Sequence, residues 1–283
     1  MDGPATKARG DSMQGPRIIP SLPEKTYREI AAINFSQIRD YYSCNTPHHF
    51  FHTCLALNRP ERAQTPAMSF GTAFHRRILE PDLYSKTFEV IPDDTRANTI
   101  TGKKLLAEVS VSGKTPLKAS IAKAIEIMAQ TIASHPGARY LLSKGTPELS
   151  IFWAHEENQL KGRLDWVNHE AKVIVDLKTT LIADAEDPRG FPKVVREGYY
   201  DLQAAFYTWG LKEIAKEDYT FVFIAIEKEY PYAVSLATLQ PSDLEKAHQE
   251  NLEAIEKISS ARQSHIYPGY GDNIHTLILP TWR

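Results

Sequence analysis

The sequence predicts an α/β fold: a mixed central β-sheet of about five strands flanked by helices, with an N-terminal helical section ahead of it. Three observations carry this. Residues 160–179 read as two strands joined by a polar turn. Residues 219–227, Tyr-Thr-Phe-Val-Phe-Ile-Ala-Ile-Glu, are a near-continuous apolar run, the pattern of a central strand. Segments with helical spacing of apolar residues lie around them, at 118–134, 199–214 and about 242–262.

Residues 1–20 are rich in Gly, Pro, Ser and charge and read as a disordered leader. Residues 21–283 then form one domain: a helical part to about 145, a core to about 240, and a C-terminal helix and tail. A short helix is expected at 24–32, and a second begins near Asn34 or Ser36, with Ile38, Tyr41 and Tyr42 at helical spacing. Pro47 can open the next helix. Ser69 is positioned to cap a helix whose apolar face is Phe70, Phe74, Ile78 and Leu79. Residues 88–91 suggest a short strand. Residues 93–104 are a polar loop running into a helix, where Arg96, Lys103 and Lys104 are candidates for phosphate contact.

Ser112-Gly-Lys-Thr115 is only half a phosphate-binding loop. Glu108 stands where its first Gly is required, so nucleotide binding there is rejected. Residues 118–134 carry Ile121, Ile125, Met128 and Ile132 on one helical face. Residues 146–153 read as a strand with Glu148 near its start. Residues 181–198, with Pro188, Gly190 and Pro192, read as a long polar connection. After the central strand, residues 232–239 suggest another. Ser242 and Glu245 have capping-box spacing at the start of the last helix. Tyr267, Tyr270 and the apolar end at 278–282 are expected to dock on the body or on a neighbouring subunit.

Composition excludes several classes. The 283 residues carry 33 Lys and Arg against 35 Asp and Glu, so there is no global basic signal, and any nucleic-acid surface must be a local patch. Two cysteines, Cys44 and Cys54, argue against a disulfide framework and fit a reducing, cytoplasmic setting. No apolar run is long enough to span a membrane.

The chemistry concentrates at 160–180. On the second hairpin strand Ile174, Asp176 and Lys178 share one face, and Val173, Val175 and Leu177 the other. A hairpin closing symmetrically between Glu170 and Ala171 sets Asp165 opposite Asp176 and Arg163 opposite Lys178. Opposed Cβ atoms lie roughly 5 Å apart, where like charges repel. Two such carboxylates call for a cation, and Mg²⁺ suits oxygen ligands. Lys178 beside it could orient or deprotonate a water, the chemistry of metal-assisted phosphodiester hydrolysis.

Asp165, ten intervening residues, then Asp176-Leu-Lys178 resembles the core motif of the PD-(D/E)XK nuclease superfamily. Asp176-Leu-Lys-Thr-Thr180 followed by Gln203-Ala-Ala-Phe-Tyr207 resembles its RecE and λ-exonuclease group. Leu164 replaces the Pro of the family name, while the carboxylate after it is kept. Two cysteines are too few for the iron–sulfur branch. The resemblance covers roughly 69–239 and implies a restriction-endonuclease-like core. It also implies a Mg²⁺-dependent exonuclease, with Mn²⁺ as substitute, acting 5′→3′ on double-stranded DNA ends and leaving 3′ tails for recombination. In it Asp165, Asp176, the Leu177 carbonyl and His75 hold the metal, Glu148 assists at this or a second metal, and Lys178 positions or activates the water. Gln203 and Tyr207, with Arg163, serve the metal environment or the DNA strand. A homo-oligomeric ring and a single-strand annealing partner of the RecT or λ-β type are implied too. The rivals are another nuclease of the superfamily, RecB-like or an endonuclease, and a non-catalytic DNA-binding module.

Overall fold

The computed structural model describes residues 15–56, 58–59 and 65–279. Its elements begin with β1 (Arg17–Ile19), α1 (Glu24–Glu29), β2 (Ile33–Asn34), α2 (Phe35–Ser43) and α3 (Pro47–Phe50), which runs into a π-helical turn at Phe51–Leu55. Next come α4 (Pro66–Leu79), α5 (Pro81–Thr87), β3 (Phe88–Ile91), α6 (Ile100–Val111), β4 (Thr115–Lys118), α7 (Ala119–Ser134) and α8 (Pro136–Leu141). The second half holds β5 (Thr146–His155), β6 (Asn158–Asn168), β7 (Val173–Thr180), α9 (Phe191–Glu197), α10 (Tyr200–Ala215), β8 (Thr220–Glu227), β9 (Val234–Ala237) and α11 (Pro241–Ser264).

Among the described residues the central sheet has seven strands, not about five, in the order β1-β5-β6-β7-β8-β9 with β2 alongside β6. It is mixed: β7 and β8 run parallel, as do β2 and β6, and the other pairs are antiparallel. The two additional strands are too short to show alternation and exist only through their partners. β1 was expected to belong to a disordered leader, yet Arg17–Ile19 pairs with Ser150–Phe152. The rest of that leader, 1–14, lies outside the described residues.

Alternation along β7 decides how the layers form. Ile174 packs into a core with α2, α10 and α11, built around Trp153, Phe206, Phe221 and Phe223. Val173, Val175 and Leu177 pack on the opposite side with Phe74, Ile125, Met128 and Ile132 of α4 and α7. Burying a side chain of this size contributes roughly 2–3 kcal/mol. A strand apolar on both faces is therefore stable only between two helical layers.

Gly210 permits a close approach of α10 to the sheet. A Cβ there would lie 2.7 Å from two ring atoms of Trp153 and 2.9 Å from Ile151 Cδ1. Gly costs a helix interior about 1 kcal/mol against Ala, which the buried contact offsets. Gly210→Val is expected to lower stability by about 3 kcal/mol. Thermal unfolding would read this as a fall of roughly 6–12 °C; an unchanged Tm would show that α10 can lift without cost.

Several local expectations are corrected. α4 starts earlier than foreseen: Thr65, not Ser69, is the cap, accepting from the Met68 N–H. Gln240 precedes α11 without a side-chain cap bond, so Ser242 and Glu245 form no capping box, and Pro241 opens the helix instead. The connection at 181–198 contains α9, with Pro192 in its first turn, where Pro is tolerated. Phe191 and Val195, one helical turn apart, are buried. Thr115–Lys118, unrecognised in the sequence, is a strand because Phe88–Ile91 pairs beside it in parallel. The tail docks in part: Tyr267 packs 4.3 Å from Phe51 and the His48 N–H donates to Pro268 O. Ile274, Leu277, Ile278 and Leu279 stand exposed, and Trp282 lies outside the described residues.

Candidate active site

The site forms where β6 changes partners. Toward its end, Trp166, Val167 and Asn168 pair with Val175, Ile174 and Val173 of β7, the register expected for a turn centred between Glu170 and Ala171. Asn168 helps close that turn by accepting from the Ala171 N–H at 2.9 Å. Toward its start, Leu160 and Lys161 pair instead with Ile33 and Asn34 of β2. Between these pairings the sheet forks, and Asp165 lies at the fork. Its Oδ2 accepts from the Leu177 N–H at 3.0 Å, in place of a ladder bond.

Glu148 enters from the other side. Pro147 pairs with Trp166 and Leu149 with Leu164, so Glu148 stands across from Asp165. Its φ of 48° is left-handed, uncommon for a residue with a Cβ. That turn breaks the local pairing and re-aims the side chain into a pocket of about 600 Å³. Glu148, Asp165 and Asp176 thus form one row across three adjacent strands.

α10 supplies the lid of the row. Gln203 bridges it: its Nε2 donates to Asp176 Oδ1 at 3.1 Å, and its Oε1 accepts from Lys178 Nζ at 3.0 Å. Lys178 Nζ lies 2.6 Å from Asp176 Oδ2. That oxygen is buried, and beyond this ion pair it has no hydrogen-bond partner among the described residues. Tyr207 lines the pocket one turn on, and Gly162 lets its ring lie 3.1 Å from where a Cβ would be. α4 contributes His75, whose Nε2 is 2.9 Å from Leu177 O and whose Nδ1 is 3.5 Å from Asp165 Oδ2.

Electrostatics follow from crowding acids in a dry place. Burial, then the charge of Asp165, pushes Glu148 up to about 8. Burial also raises Asp176, to about 6; Lys178 opposes the rise and Asp165 adds to it. Burial works against the Lys178 charge, but Asp176 and Asp165 outweigh it and hold its pKa above the ordinary value. Burial raises the Tyr207 phenol well above its usual value, so it stays neutral.

This donor set fits a hard divalent cation chemically: three carboxylates, a carbonyl, an imidazole, and an under-used buried oxygen on Asp176. The spacing is contracted, however. Among the described residues no three His, Cys, Asp or Glu side chains stand around one point as a formed metal cluster. His75 and the Leu177 carbonyl, both expected ligands, contact each other directly. Coordination would exchange that contact for bonds to the metal.

Other expected residues lie elsewhere or are otherwise engaged. Arg163 lines the pocket, but its Nη2 donates to Leu22 O at 2.7 Å, its Nε to Ser150 Oγ at 3.2 Å, and its plane lies over the Tyr27 ring. It clamps the segment before α1 onto the sheet. Arg96 and Lys103 are exposed, in the loop before α6 and on α6, and line no part of the pocket.

Sequence reasoning missed Lys161. Its Nζ donates at 2.7 Å to both Tyr27 O and Ile30 O, the carbonyl end of α1, where a cation is favoured. With Arg163 it makes residues 21–28 a wall of the pocket. An alternating strand with two basic residues on one face was the available signal. Tyr200 was also missed: Lys178 Nζ lies over its ring, 4.2 Å from the centroid.

The sequence matches, over residues 34–280, the family described as PDDEXK-like domain of unknown function (DUF3799). The chain belongs to this family. The PD-(D/E)XK resemblance and the fold class read from the sequence are thereby borne out. No curated protein sequence matches the chain. Among solved structures, one titled "Putative exonuclease" from Eubacterium rectale superposes with a TM-score of 0.62 at 16% identity, covering 87% of this chain and 88% of that one. At that identity it speaks for the fold. A phage-related exonuclease from Haemophilus somnus 129PT, also 16% identical, reaches a TM-score of only 0.32 over 59% of this chain and 84% of that one. Among the described residues, no helix is long and apolar enough to cross a membrane.

Proposed function

We propose that this protein is a Mg²⁺-dependent deoxyribonuclease that degrades linear duplex DNA from its ends, 5′→3′, leaving 3′ single-stranded tails. The observation that carries the hydrolytic reading is the row of Glu148, Asp165 and Asp176 across β5, β6 and β7, with Lys178 against Asp176. A DNA-binding role alone has no use for three crowded carboxylates, since they repel phosphate. The choice of an end-dependent enzyme rests on the sequence resemblance and on the exonuclease name of the structural relative. Direction, the 3′ product, a ring of subunits and a RecT- or λ-β-like annealing partner rest on the resemblance alone.

In this mechanism Asp165, Asp176, the Leu177 carbonyl and His75 would hold the cation, with Glu148 close by, directly or through water. Bound there, Mg²⁺ (or Mn²⁺ in its place) supplies Lewis-acid stabilisation of the phosphate and of the leaving 3′ oxygen. Lys178 orients the attacking water and steadies charge on the phosphate. Gln203 fixes both Lys178 and Asp176, so the lysine is preorganised. Water oxygen bonds to phosphorus and gives up one proton to solvent, the P–O3′ bond breaks with its electron pair going to the 3′ oxygen, and that oxygen takes a proton from solvent and leaves as a hydroxyl. Tyr207, neutral, presents its ring and hydroxyl to the strand in the pocket.

The test is digestion of linear duplex DNA labelled at the 5′ or the 3′ end, with Mg²⁺ or EDTA, beside a closed circular duplex. Early Mg²⁺-dependent release of the 5′ label as mononucleotide, with the circle intact, is the expected outcome. Cutting of the circle would make the protein an endonuclease. Intact linear DNA that is nonetheless bound would leave only the binding-module reading.

A further inference from the structure

The Lys178 ammonium is held from three directions. Asp176 Oδ2 lies at 2.6 Å, Gln203 Oε1 accepts at 3.0 Å, and the Tyr200 ring centroid lies at 4.2 Å. The first two contacts are polar and fix where the charge points. The third sets an aromatic face against the ammonium, which attracts a cation through its quadrupole, while the side chain keeps 13% of its surface open.

The placement of this ring is built into the local fold. Tyr200 is the first residue of α10, and the residue before it, Tyr199, has a left-handed φ of 57°, which turns the chain sharply into the helix. Gly198 has no side chain in the space the ring needs: a Cβ there would lie 2.8 Å from Tyr200 Cζ and 2.9 Å from Cε1. The ring also packs against Phe223 of β8, with centroids 6.5 Å apart. Tyr200 and Gln203 are three residues apart on one helix, so a single rigid element brings both of them to Lys178.

We infer that Tyr200 is a positioning residue for Lys178: its ring face fixes the ammonium against Asp176 and Gln203. The face does this work and the phenol oxygen does not. The inference deepens the nuclease reading and rests on it for its kinetic consequence, whereas the Lys178–Tyr200 contact can be measured without cleavage.

The experiment uses the full chain and the variants Tyr200→Leu and Tyr200→Phe. Steady-state cleavage of linear duplex DNA with Mg²⁺ gives kcat and KM. Protein carrying ¹³C-labelled lysine, with Lys178 assigned by Lys178→Arg, gives the Lys178 Hε shifts by NMR. In wild type those protons should sit upfield of the free-lysine position through the ring current. Tyr200→Leu should return them toward that position and lower kcat by about tenfold, the scale of a desolvated cation–π contact, with KM little changed. Tyr200→Phe restores a ring and should recover both the upfield shift and most of kcat. An unshifted Lys178 resonance in the wild type would overturn the inference, whether or not Tyr200→Leu folds. So would a Tyr200→Phe enzyme as slow as Tyr200→Leu. A wild type that shows the shift but cuts no DNA would instead refute the nuclease reading and leave the contact standing.

Discussion

Lys178→Met is expected to lower kcat on linear duplex DNA by about 10³-fold, the contribution of a well-placed group that handles a proton or steadies charge at the reacting phosphate. It should also destabilise the protein, because Asp176 is 1% exposed and would lose its ion-pair partner at 2.6 Å. Removing one member of a buried pair costs about 3 kcal/mol. The two effects can be separated. Asp176→Leu together with Lys178→Met exchanges the pair for apolar side chains, and the double variant should be more stable than Lys178→Met alone while staying inactive. Denaturant unfolding and the end-label assay on the three proteins check this. A Lys178→Met enzyme keeping more than roughly a tenth of wild-type kcat would remove Lys178 from the mechanism.

Glu148→Gln should show activity and stability moving in opposite directions. Burial and Asp165 raise the folded-state pKa of Glu148 from 4.5 to about 8. The folded state therefore binds this proton more tightly than the unfolded chain does. Its contribution to stability is fully present below 4.5 and is lost as pH rises through about 8. Gln removes the charge, so the variant should match wild type at the acid end and exceed it at the alkaline end by about 2 kcal/mol, or roughly 4–8 °C in Tm. Activity should fall about 10²-fold or more. Added Mg²⁺ should raise the wild-type Tm and narrow the gap, because a cation favours the charged carboxylate. Thermal unfolding across that pH range, with Mg²⁺ and with EDTA, reads all three effects. A gap that does not widen with pH would show that Glu148 is not in the crowded environment described.

The acidic row and the half-buried Lys178 illustrate one trade. Glu148 in a left-handed backbone conformation, two acids with raised pKa values and a buried ion pair all oppose folding. Such violations of local preference are expected where a site must hold charge ready for a ligand.

Sequence alone determined what has a short period. Alternation placed Ile174, Asp176 and Lys178 on one face of β7, and symmetric closure at Glu170 and Ala171 gave the pairing of Trp166 with Val175. Because side chains alternate strictly, a one-residue slip of β7 would have sent Asp176 and Lys178 toward the α4–α7 core. The helical period likewise located α7, α10 and α11, and the i, i+4 spacing put Gln203 and Tyr207 on one face. Tertiary structure decided the rest. β1, β2 and β4 are two to four residues long and become strands only when β5, β6 and β3 lie beside them. α9 depended on Phe191 finding Phe223. Arg163, read as a DNA contact, is occupied by Leu22 and Tyr27 more than a hundred residues earlier, and Lys161 by the end of α1. Tyr200 meets Lys178 only because α10 crosses the fork between β6 and β7. Local periodicity records which face a residue takes; which partner waits on that face depends on contacts between distant segments, which no short window of sequence contains.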